Sequence, residues 1–312
     1  MSLKYLPTIN SPKDLKNYSK KDLKPISDEL REYITSTVNK IGGHLASTLG
    51  VVELTTALHY IYDAPKDKII WDTGHQAYAH KVLTGRFSSL ETIRKYKGLS
   101  GFLKRSESEY DVFGAGHAST SISAGLGIAS SRDLNNDNFK VVSIIGDGAL
   151  TGGLAYEALN NAGNMKKQLL VILNDNQMSI SPNVGAMRNY LMKISTNKYY
   201  NYMREKVGDL PDLAYGKTLL RRMESSAKNF FLPRTIFEDL GFRYFGPVDG
   251  HNVNLLVDTL EKIKDLPGPV VLHTVTKKGK GIDYAENDPI KYHGIKAQKS
   301  SDNKESTKTT PI

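Results

Sequence analysis

The stretch KVVSIIGDGALTGGLAYEALNNAGNMKKQLLVILNDNQ, residues 140–177, decides the fold. Its two ends, KVVSIIGDG (140–148) and KQLLVILNDNQ (167–177), are near-continuous apolar runs of strand length. Between them LAYEALNNAGNM is a strong helix former. Strand, helix and strand in so short a span make a βαβ unit, the connection that parallel strands require. Apolar runs without alternation mark strands covered on both faces. The pattern therefore predicts an α/β fold: a parallel β-sheet flanked by helices on both faces. GPVVLHTVT (268–276) supplies a later strand of the same kind.

Working outward, Leu30, Tyr33, Ile34, Val38 and Ile41 recur at helical spacing, with Ser27, Asp28 and Glu29 as the expected start. GGHLASTLG (42–50) breaks the pattern, and Val51, Leu54, Leu58 and Ile61 mark a second helix. DKIIWDTGHQ reads as a short strand running into a loop, AYAHKVLTGR as a helix, and SISAGLGIASSRDL (121–134) as a small-faced helix for close packing on a sheet. Three divisions follow. Residues 1–26 form a basic leader, 27–295 the α/β domain, and 296–312 a polar tail without periodicity, expected to be a disordered or truncated linker. Within the domain, 186–232 is basic, tyrosine-rich and strandless, and reads as a helical, mobile insertion.

Composition excludes several chemistries. The 312 residues contain no cysteine, so disulfides, thiolate metal sites and a cysteine nucleophile are ruled out. The first residues lack an apolar signal region, and no stretch is apolar enough for a membrane span; a cytoplasmic location without membrane association is expected. The formal charge of +9 owes much to residues 1–24, where six lysines face two aspartates. No aromatic-interleaved basic stripe of a nucleic-acid reader is present, so the charge reads as the solvated surface of a protein handling phosphorylated small molecules.

Chemistry gathers where the two strands end. Ligands of open α/β sheets sit at the carboxyl ends of strands, and Asp147 stands there between Gly146 and Gly148. The glycines admit a ligand to the backbone, and the following helix N-terminus favours an anion. A carboxylate aimed at an anion repels it unless a cation lies between. That combination points to Mg²⁺ bridging the protein and a diphosphate. NDNQMS (174–179) ends the neighbouring strand, so an asparagine of this cluster can ligate the same ion without adding charge. His44, His75 and His117 each directly follow glycine, which places an imidazole beside exposed backbone. In TKKGKG (276–281), Lys277 reads as solvated, while Lys278 and Lys280 stay open between a solvated turn and a phosphate contact.

Gly-Asp-Gly followed at this distance by an asparagine cluster resembles the metal–diphosphate motif of thiamine-diphosphate enzymes. The likeness extends over residues 5–295: GGHLASTLGVVELTTALHYIYDAPKDKIIWDTGHQAYAHKVLTGR, ESEYDVFGAGHASTSISAGLGIA, ILNDNQMSISPNVGA, FEDLGFRYFGPVDGHN and TKKGKGIDYAENDPIKYHGI resemble the N-terminal domain of the 1-deoxy-D-xylulose-5-phosphate synthases. That family joins pyruvate to D-glyceraldehyde 3-phosphate with loss of CO₂, in isoprenoid, thiamine and pyridoxal precursor synthesis. ILNDNQMSISPNVGA and GPVDGHN separate it from the related transketolases. The resemblance implies that Asp147, the Asn176 side chain and the Met178 carbonyl hold Mg²⁺. It implies that Gly148, Ala149, Gly116, His117, Ala118 and His75 contact thiamine diphosphate, and that His44 and His293 are active-site histidines. Where the family usually has a cofactor-touching tyrosine after GKG, this chain has Ile282, which keeps packing but no hydroxyl.

The family also uses a glutamate on a second α/β domain, against the aminopyrimidine ring, and nothing here matches that domain. The expectation is an N-terminal half, inactive until a pyrimidine-binding half joins it and homo-oligomeric when complete. A stand-alone thiamine-diphosphate-binding module and a subunit of a split transketolase are the alternatives.

Overall fold

The structure, a computed structural model, describes residues 3–179, 183–196 and 235–297. Five strands form a parallel sheet: β1 (Lys68–Trp71), β2 (Val141–Gly146), β3 (Leu169–Asp175), β4 (Arg243–Asp249) and β5 (Pro269–Val275). Their spatial order is β1-β2-β3-β5-β4, so the last strand in sequence is an interior one. The expected βαβ unit is present as β2, a helix over Gly153–Met165 and β3.

The interior strands β2, β3 and β5 are largely apolar because alternate residues meet different helical layers. Leu170 and Ile172 of β3 pack with α1 (Leu23–Ile41), α2 (Val52–Ile61) and the late helix Val253–Ile263. Val171 and Leu173 point to the other layer, formed by α3 (Ser121–Leu134), α4 (Gly153–Met165) and α5 (Ala186–Thr196); the late helix is α6. Each fully buried leucine, isoleucine or valine contributes about 1.5–3 kcal/mol, so two such layers account for the drive to fold. Among the described residues no helix is long and apolar enough to cross a membrane.

Helix α1 begins at Leu23, four residues before the Ser27 start that the sequence pattern predicts. Pro25 lies in the first turn, where its missing N–H has no helical partner to lose. Ser27 is instead buried and donates to Thr56 Oγ1 at 3.1 Å. Glu29 turns back to the leader: its carboxylate accepts the N–H groups of Lys4, Tyr5 and Leu6 at 2.8–3.0 Å. With Leu6, Ile9 and Leu15 in the core, the basic leader is bound into the first helical layer. At the end of the expected domain, Ile295 and the following Lys296 pair antiparallel with Gly43 and Gly42. Of the expected insertion, residues 186–196 are helix α5; residues 197–234 and the tail from 298 lie outside the described residues.

One glycine fixes the second layer. A Cβ on Gly163 of α4 would lie 1.7 Å from the Leu240 carbonyl oxygen. Gly163→Ala is expected to push the helix away from that backbone and cost about 1–3 kcal/mol, even though alanine is the better helix former. A lower urea midpoint is the measurement; an unchanged or higher one contradicts this packing.

Candidate functional site

Parallel pairing places Gly146 of β2 opposite Asn174 of β3, so both chains leave the sheet side by side. The Asp147 N–H donates to the Asn174 carbonyl at 3.1 Å, which turns the side chain inward. That side chain is only 3% exposed. Its Oδ2 accepts from Asn183 Nδ2 at 2.7 Å, while Oδ1 is buried without a partner. Burial, and then the charge of Asp175, push the Asp147 carboxyl up to about 7, against backbone N–H groups of Gly148 and Asn176 that favour the anion. An orphaned carboxylate oxygen in a dry site calls for a cation.

The two asparagines of the cluster separate. Asn174 is fully buried, and its Oδ1 accepts from Thr276 Oγ1 at 2.6 Å. Asn176 stands on the turn beyond the strand, where its Oδ1 accepts the Met178 N–H at 3.1 Å. Among the described residues no three His, Asp or Glu side chains converge on a metal position. What the structure shows beside Asp147 is a carboxylate oxygen without a partner, the hard oxygen donor that Mg²⁺ accepts.

The two glycines flanking Asp147 differ: a Cβ on Gly148 would come within 3.1 Å of Ser179 Cβ and 3.2 Å of Asn183 Oδ1, whereas Gly146 is bare. A Cβ on Gly146 or Gly116 would meet nothing within 4 Å, so the protein's own packing does not require glycine there. Gly116, His117 and Ala118 are exposed, and the next residue ties them to Ala149: Ser119 Oγ donates to the Ala149 carbonyl at 2.7 Å. Buried Asp72, at the end of β1, secures that loop by accepting the N–H groups of Ser119 and Ser121 at 2.7 and 2.8 Å. The predicted Gly116–Ala118 and Gly148–Ala149 segments thus border one open patch at the carboxyl edge of the sheet.

The structure also brings His44, His75 and His293 together. His44 and His75 stack at 4.3 Å between ring centroids, and His293 stands edge-on to them at 5.5 and 5.0 Å. Phe102 closes one side, 6.1 Å from His44 and 6.3 Å from His75. Burial, followed by mutual repulsion, lowers His44 to about 4 and His75 to about 3; burial and then Lys278 lower His293. The rings are therefore neutral at pH 7, and the Nδ1 atoms of His44 and His293 are buried without partners. They are ready to bind a polar ligand.

Phe102 sits on a loop held by a buried charge cluster. Arg86 donates to Asp111 at 2.8 and 2.9 Å and to Glu107 at 2.8 Å, and Lys81 also binds Glu107. The same carboxylates accept the N–H groups of Ser100 and Lys104 at 2.7 and 3.1 Å. His80 contacts Asp111 at 3.3 Å and His59 at 2.9 Å.

Lys278, left open by the sequence, is 5% exposed and donates to the Ser179 carbonyl. Burial lowers its pKa, whereas Asp147 raises it, and its charge also reaches His75 and His293. Its charge thus acts on both the carboxylate and two of the imidazoles. Lys277 is more exposed and pairs with Glu286 at 2.5 Å. Ile282 lies elsewhere on that segment, half-buried against the first core layer beyond Gly281, whose backbone meets the Arg31 side chain. Sequence reasoning missed Asn183, Asp72 and Phe102. Asp72 carries a usable signal, a polar residue just past an apolar strand; nothing in the local pattern marks Asn183 or Phe102.

A family profile described as 1-deoxy-D-xylulose-5-phosphate synthase matches residues 6–276. The 1-deoxy-D-xylulose-5-phosphate synthase of Alkaliphilus oremlandii is 54% identical over 299 residues, 94% of this chain and 48% of the relative. The enzyme of that name from Chromobacterium violaceum is 54% identical over 294 residues, 93% of this chain and 47% of the relative. Among solved structures, the transketolase of Campylobacter jejuni aligns with a TM-score of 0.66 at 18% identity, over 90% of this chain and 41% of that one. Transketolase from Leishmania mexicana gives 0.60 at 17%, over 83% of this chain and 37% of that one. The chain spans about half the length of the curated relatives it matches. With its parallel sheet and residues 6–276 matched, the chain belongs to the 1-deoxy-D-xylulose-5-phosphate synthase family.

Proposed function

We propose that this chain is the diphosphate- and metal-anchoring part of a 1-deoxy-D-xylulose-5-phosphate synthase, which condenses pyruvate with D-glyceraldehyde 3-phosphate and releases CO₂. The observation that carries the reading is the buried Asp147 carboxylate with its unpartnered oxygen, preceded by Gly146, whose backbone no other protein atom covers. Asp147, the Asn176 amide oxygen and the Met178 carbonyl would hold Mg²⁺, and Gly148, Ala149, Gly116, His117 and Ala118 would border the diphosphate. Bound thiamine diphosphate supplies the electron sink for decarboxylating a 2-oxo acid.

The chain's own contribution is anchoring and proton handling. Neutral His44 and His293 offer their free Nδ1 atoms to substrate oxygens, and His75 packs against both. Phe102 and the charge-pinned loop shield that side of the cluster from water. Lys278 places a buried positive charge where anionic groups of cofactor and substrate would meet. Ile282 would offer the cofactor only apolar contact. The remaining groups, including the glutamate that works against the aminopyrimidine, would come from a pyrimidine-binding region, within a cytoplasmic homo-oligomer.

Purified chain alone is expected to release no CO₂ from pyruvate and D-glyceraldehyde 3-phosphate above background. Adding a pyrimidine-binding half from a relative should restore formation of 1-deoxy-D-xylulose 5-phosphate. Silence of the mixture, with cofactor binding intact, would favour a binding module instead. Ketol transfer between sugar phosphates by the mixture would point to a split transketolase.

A further inference from the structure

We propose that His273, held by Tyr244, is a positioning residue for the turn that carries Asn176 and Met178; the metal part of the inference rests on the site reading above.

The turn needs holding. Gln177 adopts a left-handed backbone, φ +60°, without being glycine. Two successive side-chain hydrogen bonds build it: Asp175 Oδ1 accepts the Gln177 N–H at 3.1 Å, and Asn176 Oδ1 accepts the Met178 N–H at 3.1 Å. The Asn183 N–H closes it on the Gln177 carbonyl at 3.2 Å. The first of these bonds, and with it the start of the turn, depends on how the Asp175 carboxylate is rotated.

That rotation is set across the sheet. Asp175 Oδ2 contacts His273 Nε2 at 3.0 Å, and His273 Nδ1 contacts the Tyr244 hydroxyl at 2.6 Å. In the sheet register, Leu173 faces His273 and Tyr244 faces Val271. Asp175, His273 and Tyr244 are therefore diagonal neighbours on three adjacent strands, the spacing at which long side chains reach one another on one face. His273 and Asp175 are both buried, so water does not compete for these bonds.

The phenol sets the tautomer. A neutral tyrosine donates to Nδ1, which leaves the ring proton on Nε2, aimed at the carboxylate. Removing the imidazole strands Asp175 Oδ2 in a dry site, and the carboxylate must rotate or draw in another donor. The Gln177 N–H then loses its acceptor, and a left-handed glutamine has no reason to persist. Residues that orient metal ligands in this way typically alter metal affinity about 10–100-fold when lost.

The experiment uses the full chain as wild type, His273→Leu, His273→Gln and Tyr244→Phe. Amide exchange at Gln177 and Met178 is read without metal, and Mn²⁺ binding in the presence of thiamine diphosphate is read by electron paramagnetic resonance. His273→Leu should speed exchange at both amides about tenfold or more, the loss of one hydrogen bond. It should also weaken Mn²⁺ binding by about 10–100-fold. His273→Gln, whose amide nitrogen can stand in for Nε2, should recover most of both losses. A role in packing alone predicts no such rescue and no localised exchange. Tyr244→Phe removes a single oxygen and should shift both readouts in the same direction, which keeps the test open if His273→Leu fails to fold.

Wild-type protection at Gln177 in a folded His273→Leu or in Tyr244→Phe overturns the inference. Asp147→Ala in the Mn²⁺ assay separates the two claims. Mn²⁺ binding indifferent to Asp147→Ala sinks the site reading, and the metal-free exchange result then decides the positioning role by itself.

Discussion

Asp147→Ala is expected to weaken Mg²⁺-dependent binding of thiamine diphosphate by about a hundredfold or more, the effect of losing a charge-assisted contact in a buried site. Asp147 Oδ1 is buried and no protein donor satisfies it at hydrogen-bond distance, so its acceptor capacity is open to a bound cation. Calorimetric titration with and without Mg²⁺ reads the effect, and equal binding by both proteins removes the metal assignment. Asp147→Asn sharpens the test, because it preserves shape and can still accept from Asn183. It should lose most of the Mg²⁺ dependence. The metal-free Asp147→Asn protein should nevertheless be as stable as wild type or more so above pH 7. Burial raises this carboxyl to about 7 in the folded chain, so the folded state becomes less stable as pH rises through the range between the ordinary carboxylate value and 7. A site that costs stability when empty and gains affinity when filled is the signature of function, not of packing.

Acid should unfold the metal-free chain steeply. His44, His59, His75, His80 and His293 are all held below the ordinary histidine value, with burial as the first cause in each. The unfolded chain therefore takes up protons before the folded one as pH falls through about 6.5. The stability these groups leave intact is fully present above that pH. It drains away toward the folded values, about 4 for His44 and about 3 for His75. Each of these histidines steepens the loss of stability with falling pH, His59, His75 and His80 most, while solvent screens the partly exposed His44 and His293 and reduces their share. Asp147 works in the opposite sense over part of this range and offsets about one histidine. Urea midpoints at pH 7.5, 6.5, 5.5 and 5.0 should fall at an increasing rate; a flat series contradicts the neutral, buried state of these rings.

Much of this was legible in the residues, and the reasons are physical. The β2–α4–β3 unit could be read because unbroken apolar runs have no other stable home than a sheet covered on both faces. Strand β4 was harder: RYFGPVD carries a glycine, a proline and only partial burial, since it lies at the sheet edge and pairs with β5 alone. The start of α1 was misplaced because a good capping sequence at Ser27 and the true start at Leu23 differ in tertiary contacts, which spacing does not encode. For the site, strand ends located Asp147 and the asparagine cluster, since topology alone delivers them to one edge. The gathering of His44, His75 and His293 from distant segments, and the burial of Lys278, depend on packing among loops. The charge cluster around Arg86 was silent in sequence because charged residues in a loop ordinarily face water.

The order of the strands bears on how the chain is made. Strand β5 lies between β3 and β4 yet is synthesised after both. Until residues 269–275 leave the ribosome, β3 presents a bare edge and β4 has no strand to pair with. His273 arrives on the same segment, so the half-made chain lacks the donor that fixes the Asp175 turn. The nascent chain is thus open to misassociation between the synthesis of β3 and that of β5, and the site is completed only when the sheet is.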